Sequence, residues 1–189
     1  MWISNEVVLL LLVLALFVIV VVSLFKRRSF SKTLVSLVFA SYVAVVVLIV
    51  LMPFPIKLMP GEPCLDIPVN LVPFANIIDA WRAHMGTDHQ MYFFRLVLGN
   101  ILLFVPLGFL APVLWERVRK TRVAAMLFLA VPICIEFIQL INGWRIGSMY
   151  RSVDIDDVLL NFMGALAGFY VFRLLERIRV KRLNSKLCD

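Results

Sequence analysis

The chain has 189 residues, a formal net charge of +7 from 19 Lys+Arg against 12 Asp+Glu, and 62% hydrophobic residues. Soluble globular domains contain about 45–50% apolar residues, so this composition excludes one. Basic residues sit in clusters beside apolar runs in a chain only 16% charged, which points to membrane topology and excludes a nucleic-acid-binding role.

In chain order, spanning helices are predicted over 7–25, 33–52, 96–115, 123–141 and 158–175. Each approaches or reaches the roughly 20 residues that cross a hydrocarbon core of about 30 Å. The expected fold is an all-α integral membrane protein with five transmembrane helices. The first run has no Lys or Arg ahead of it and Lys26, Arg27 and Arg28 behind it, the reverse of a cleavable signal, so it reads as an anchor. The first two spans hold little that is polar beyond Ser23, Thr33, Ser36, Ser41 and Tyr42 and are assigned packing, not chemistry.

Basic residues follow the first span (Lys26, Arg27, Arg28, Lys32) and the third (Arg117, Arg119, Lys120, Arg122), and close or follow the fifth (Arg173 to Lys186). The positive-inside rule then sets the N-terminus outside and the C-terminus in the cytoplasm, with the basic tail against anionic inner-leaflet lipids. Three regions are expected: two N-terminal helices over 1–60, a second region over 61–176, and the basic tail over 177–189. The one long connection, 53–94, contains the apolar stretch Ile67 to Trp81. Pro68 and Pro73 argue against a continuous spanning helix there, so an interfacial or re-entrant segment is expected, with a surface loop as the alternative.

Polar residues inside spans are expensive and need a partner or a function. Here they gather toward the outer ends: Asn100 in the third span, Glu136 and Gln139 in the fourth, and Asp154, Asp157 and Asn161 at the head of the fifth, with Arg145 and Arg151 at the external mouth. Glu136 and Gln139 share one helical face, and Asp154, Asp157, Asn161, Gly164 and Gly168 follow steps of three and four along another, whereas Asp156 points elsewhere. Gly164 and Gly168 form a small-xxx-small pair that admits a close helix neighbour. In the third span, Pro106 and Gly108 predict a kink.

Each of these polar residues also has a structural reading, with Glu136 paired to Arg145 or Arg151 and Asn161 joining helices. The set as a whole predicts a polar ligand pocket. No metal site is assigned: His84, Asp88 and His89 match no ligand spacing. The acidic run Asp154, Asp156, Asp157 is a weaker candidate for a divalent cation held against a phosphate. Cys64, Cys134 and Cys188 are scattered and form no disulfide framework or zinc site.

The ordered motifs NLVPF at 70–74, Asn100 with FVPLGF at 104–109, Glu136 with Gln139, and Arg151, Asp154, Asp157, Asn161, Gly164 and Gly168 resemble those of the VanZ-like family of bacterial membrane proteins, across about residues 67–170. The context RSVDIDD favours Arg151 over Arg145 as the family's arginine. The resemblance implies a plasma-membrane protein associated with resistance to glycopeptide antibiotics, notably lipid-tailed teicoplanin.

Two functions stay open. In one, Arg151, with Arg145, grips the phosphate of an outer-leaflet lipid, a polyprenyl-linked cell-wall intermediate or a phospholipid. Glu136 then acts as general acid or base, Asp154 or Asp157 orients a nucleophile or metal, and Asn70, Asn100, Gln139 and Asn161 position the head group. In the other, the same pocket binds a lipid without turnover or obstructs a lipid-tailed antibiotic. Transport is disfavoured, since no inverted repeat is visible.

Overall fold

The computed structural model describes residues 2–3, 5–25, 29–50, 54–55, 69–146 and 153–188. Six α-helices dominate it: α1 (Asn5–Phe25), α2 (Phe30–Val50), α3 (Ala75–His84), α4 (Gln90–Leu114), α5 (Thr121–Ile146) and α6 (Ile155–Cys188). Four two-residue strands accompany them: β1 (Trp2–Ile3), β2 (Phe54–Pro55), β3 (Val69–Asn70) and β4 (Val153–Asp154). Strand β1 pairs antiparallel with β2, and β3 pairs parallel with β4.

Four helices are long and apolar enough to cross a membrane: Phe30–Val50, Gln90–Leu114, Thr121–Asn142 and Ile155–Arg182. They are the second to fifth expected spans; α2 and α5 start and end within three residues of the predicted limits, α4 begins six residues early, and α6 runs on at its far end. That helix continues past its apolar part through the basic tail, for 34 residues in all and about 51 Å at 1.5 Å per residue. Helix α1 lies against α2, and its shorter apolar stretch is Val13–Val22.

Large apolar side chains point outward, as at Leu102, Met126, Phe137 and Tyr170, while Glu136, Gln139, Asn142, Asp154, Asp156 and Asn161 are buried. This arrangement suits lipid as the surrounding solvent, where a polar group must find its partner inside the protein. A core of Phe104, Leu107, Ala111, Phe128, Ile135, Ala165 and Phe169 joins α4, α5 and α6.

Helices α4 and α6 approach most closely, through glycine. A Cβ on Gly164 would overlap the Ile101 carbonyl, and one on Gly168 would overlap the Val105 carbonyl. From the facing helix, a Cβ on Gly108 would strike the Ala165 carbonyl. The small-xxx-small reading is therefore realised, and Gly108 belongs to the same seam. The kink expected at Pro106 and Gly108 does not divide the helix, because α4 is continuous through both Pro106 and Pro112. Proline removes one backbone donor and disturbs the turn before it. In that turn, the Tyr42 hydroxyl of α2 donates to the Leu103 carbonyl at 2.9 Å.

At the opposite end of α4, a 3-10 turn (Glu116–Arg119) leads into α5. Arg119 donates from Nε to the Pro112 carbonyl at 3.1 Å, pairs with Glu176 at 3.5 Å and lies over the Phe172 ring. One end of the bundle is therefore basic and tied by arginine, and the other carries the buried carboxylates.

The glycine seam yields a differential expectation. Gly164→Ala forces backbone apart and is expected to cost about 1–3 kcal/mol. Gly99→Ala, on the same pair of helices but with open space around its Cβ, should be neutral or slightly stabilising. Thermal unfolding of the two variants in detergent checks this, and equal midpoints would refute the seam.

Candidate functional site

The site begins with Asn70. Its Oδ1 accepts the Val72 N–H at 3.1 Å, closing a side-chain turn of the kind asparagine favours. Its Nδ2 donates to Asp154 Oδ1 at 2.8 Å. The β3–β4 pairing sets Asn70 opposite Asp154, so the same register that joins the two strands brings these side chains together.

The chain then turns through Pro73 into Phe74, whose φ of 66° lies in the left-handed region. A non-glycine residue there costs about 1–2 kcal/mol. The compensation is visible at Asp156, which is 1% exposed: Oδ1 accepts the Phe74 N–H and Oδ2 accepts the Ile77 N–H at 3.2 Å. Those are two of the donors a helix N-terminus leaves without partners, and α3 has no capping side chain of its own at Phe74. Asp156, eighty residues downstream, caps it. The sequence reading set Asp156 aside as pointing away from the functional face. It does leave that face, and it holds α3 in place.

Asp154 is the hub. Besides Asn70, its Oδ2 accepts from Asn76 Nδ2 at 2.6 Å and its Oδ1 accepts the Asp156 N–H at 2.9 Å. Its own N–H donates to Glu136 Oε2 at 3.0 Å. Glu136 is 6% exposed and engages a further group besides. Gln139, one turn along α5, donates to the Val50 carbonyl at 3.2 Å and so ties α5 to the end of α2. Asn100 of α4 donates to Asp157 Oδ1, above the glycine seam.

The structure therefore brings Asn70, Asn100, Glu136, Gln139, Asp154 and Asp157 to one end of the bundle in contacts that join β3, α2, α4, α5 and α6. Asn161 lies one turn after Asp157 on α6, 4% exposed, with its Oδ1 unpartnered. Arg145 falls in the last turns of α5, and Arg151 lies outside the described residues.

Beside this network is a cavity of about 420 Å³. Helix α3 walls it with Asn76, Asp79, Ala80, Ala83 and His84, and α4 with Tyr92 and Leu96. Asp154 and Asp157 complete the lining. The His84 and Tyr92 rings meet at a tilt of 53° with centroids 4.8 Å apart. From the sequence, Asn76 and Asp79 fall on the loop beside the external mouth, but neither they nor Tyr92 were assigned to the site. Their signal was the three- and four-residue spacing of Asn76, Asp79 and Ala83, hidden by treating 67–81 as one apolar stretch.

The segment Ile67 to Trp81 resolves, within the described residues, into β3, a turn and the ten-residue α3. The polar side of α3 faces the cavity, while Leu71, Val72, Phe74, Ile78 and Trp81 are exposed. No group of three or more His, Cys, Asp or Glu side chains is arranged to hold a metal ion among the described residues.

Replacing Asp156 by Ala leaves the Phe74 and Ile77 N–H groups without acceptors, at a cost of about 1–3 kcal/mol for a buried donor. Hydrogen exchange should accelerate across Ala75–His84 and stay unchanged in the middle of α4. Equal protection of α3 in both proteins would refute the capping role.

Searches among curated proteins and among solved structures returned no match. A family model described as VanZ/LLP1 matches residues 9–176. The match takes in the first two helices as well as the network of Asn70, Asn100, Glu136, Gln139, Asp154, Asp157 and Asn161. With nearly the whole chain covered, and with helices built to cross a bilayer, the chain belongs to the VanZ/LLP1 family of membrane proteins.

Proposed function

We propose that this chain is a five-span protein of the bacterial plasma membrane that binds the head group of a phosphate-linked lipid in the outer leaflet and processes it. Helix α1 supplies the fifth span. The N-terminus lies outside and the C-terminus in the cytoplasm, which puts the basic end of the bundle inside and the cavity at the outer surface. The observation that carries the reading is the cavity of about 420 Å³ bordered by Asp154 and Asp157 at the head of apolar helices. A polar chamber at that depth suits a lipid whose tail stays in the bilayer.

The exposed side of α3, with Phe74, Ile78 and Trp81, rests in the interface as an amphipathic segment does. Arg151, with Arg145, grips the phosphate, for which a guanidinium fork is suited.

The geometry divides the labour among the carboxylates. Asp154 accepts three hydrogen bonds, so both of its oxygens are engaged, and it positions Asn70 and Asn76. Glu136 holds the Asp154 backbone and so positions β4. Asp157 is half-buried, borders the cavity and is oriented by Asn100, which makes it the carboxylate best placed to exchange a proton with a bound head group.

A second reading, lipid binding without turnover, is favoured by the saturation of Asp154 within the protein. In that reading the pocket sequesters a lipid or limits access of a lipid-tailed antibiotic such as teicoplanin, the phenotype associated with the family.

Lipid mass spectrometry after incubating purified protein with mixed envelope lipids separates the two. Turnover is expected with wild type and a loss of about a hundredfold with Asp157→Asn, the scale of a general acid–base contribution. Co-purified lipid left unchanged by wild type would establish the binding reading instead, and absence of both binding and turnover would refute each.

A further inference from the structure

Arg95 is the one charged residue in the 25 of α4, and it stands on the outside of the bundle. Met91, Arg95, Leu98 and Leu102 recur at steps of four, three and four and so share a helical face, and all four are exposed. Gly99, one turn along from Arg95 on that face, has nothing within 4 Å of the place a Cβ would take. Arg95 itself has no hydrogen bond or ion pair among the described residues.

Its depth is set by the length of the helix. From Arg95 to the end of α4 at Leu114 is nineteen residues, about 29 Å at 1.5 Å per residue, against a hydrocarbon core of about 30 Å. The far end meets the basic turn of Arg117 and Arg119. Arg95 therefore falls at the edge of the hydrocarbon, where lipid phosphates begin. Aromatic residues mark the same level: Tyr92 and Phe94 are exposed on the preceding turn, and Phe93 meets Trp81 of α3 edge to face with ring centroids 5.2 Å apart, as residues of a membrane interface do.

Charge and shape agree on the occupant. A guanidinium carries five N–H donors in a fixed fork, which matches phosphate oxygens. Gly99 leaves a notch one turn away, about 5.4 Å along the axis. Leu98 and Leu102 flank it, 48% and 64% exposed. Below a phosphate held at Arg95, the notch has room for the glycerol backbone, and the two leucines offer apolar surface to an acyl chain.

We propose that the bilayer-facing stripe of α4 docks one phospholipid from the leaflet at the cavity end of the bundle, its phosphate on Arg95, its glycerol backbone at Gly99 and a tail along Leu98 and Leu102. The site is separate from the cavity, whose α4 lining is Tyr92 and Leu96, and it stands whatever the cavity binds.

The test counts lipid bound to the purified full-length protein in detergent by native mass spectrometry. The protein is titrated with phosphatidylglycerol, or with a monoglucosyl diacylglycerol of the same chains, which keeps a polar head and lacks the phosphate. Wild type is expected to bind one phosphatidylglycerol about tenfold more tightly than the glycolipid, the scale of one charge-assisted contact. Arg95→Gln, at an exposed position, should bring that ratio toward unity. Arg177→Gln on the basic tail, also exposed, removes the same charge and should leave the ratio unchanged. Gly99→Phe, which fills the notch, should weaken both lipids alike.

A ratio near unity in wild type, or one that survives Arg95→Gln, would overturn the assignment. Equal falls in Arg95→Gln and Arg177→Gln would reduce the preference to net charge and overturn it as well. Undiminished binding by Gly99→Phe would overturn the place given to the glycerol backbone. A fall confined to Asp157→Asn would move the phospholipid into the cavity, leaving the head-group reading standing and the α4 site refuted, whereas a ratio unaltered by Asp157→Asn and lost in Arg95→Gln would establish the α4 site independently of the cavity.

Discussion

The close approach of α4 and α6 governs the rest of the molecule. In lipid there is no hydrophobic force to press helices together, because the surrounding tails are as apolar as leucine. Association must come from backbone and side-chain atoms meeting at van der Waals distance, and Gly108, Gly164 and Gly168 remove the side chains that would prevent it. Once the two helices share that axis, Asn100 and Asp157 are brought within hydrogen-bonding reach. The head of α6 then stands where β4 can receive β3. The polar network is thus seated on an apolar seam.

The network differs from a simple helix bundle in how its carboxylates are used. Asp154 and Asp156 are consecutive in space with α3, and between them they satisfy two asparagine amides and three backbone N–H groups. They make a short amphipathic helix part of the protein's interior surface. Asp157, three residues from one and adjacent to the other, is turned by the helical rotation toward α4 and the cavity. A run of acidic residues therefore separates into Asp156, which caps α3, Asp154, which anchors α3 and also lines the cavity, and Asp157, which lines it from α6.

Much of this arrangement was legible in the residue spacing. The step pattern from Asp157 through Asn161 to Gly168 marked a face that meets protein, and the burial of Asn161, Gly164 and Gly168 follows it. The four described membrane-length helices fall where their apolar runs do. The illegible part was local: the spacing within α3 was hidden in a run read as one apolar stretch, and the left-handed turn at Phe74 that sets the helix off has no signature in periodicity. The capping role of Asp156, which the spacing only set off the shared face, was illegible for a related reason. A helical wheel describes what shares a face along one helix, whereas the cap of α3 depends on a residue distant in sequence. Arg151 is not among the described residues, and motif order alone singles it out.

The pairing of β3 with β4 has a further bearing on how the protein is made. Strand β3 and the start of α3 leave the ribosome long before Val153 and Asp154 exist, and closing so long a loop carries an entropic cost that grows slowly with its length. Until the final helix is inserted, the Asn70 and Asn76 amides and the Phe74 and Ile77 N–H groups must be hydrated or held elsewhere. The contacts of β3 and α3 with Val153, Asp154 and Asp156 can therefore form only once the head of α6 has been made. The cavity wall is thus completed by the last helix in the chain.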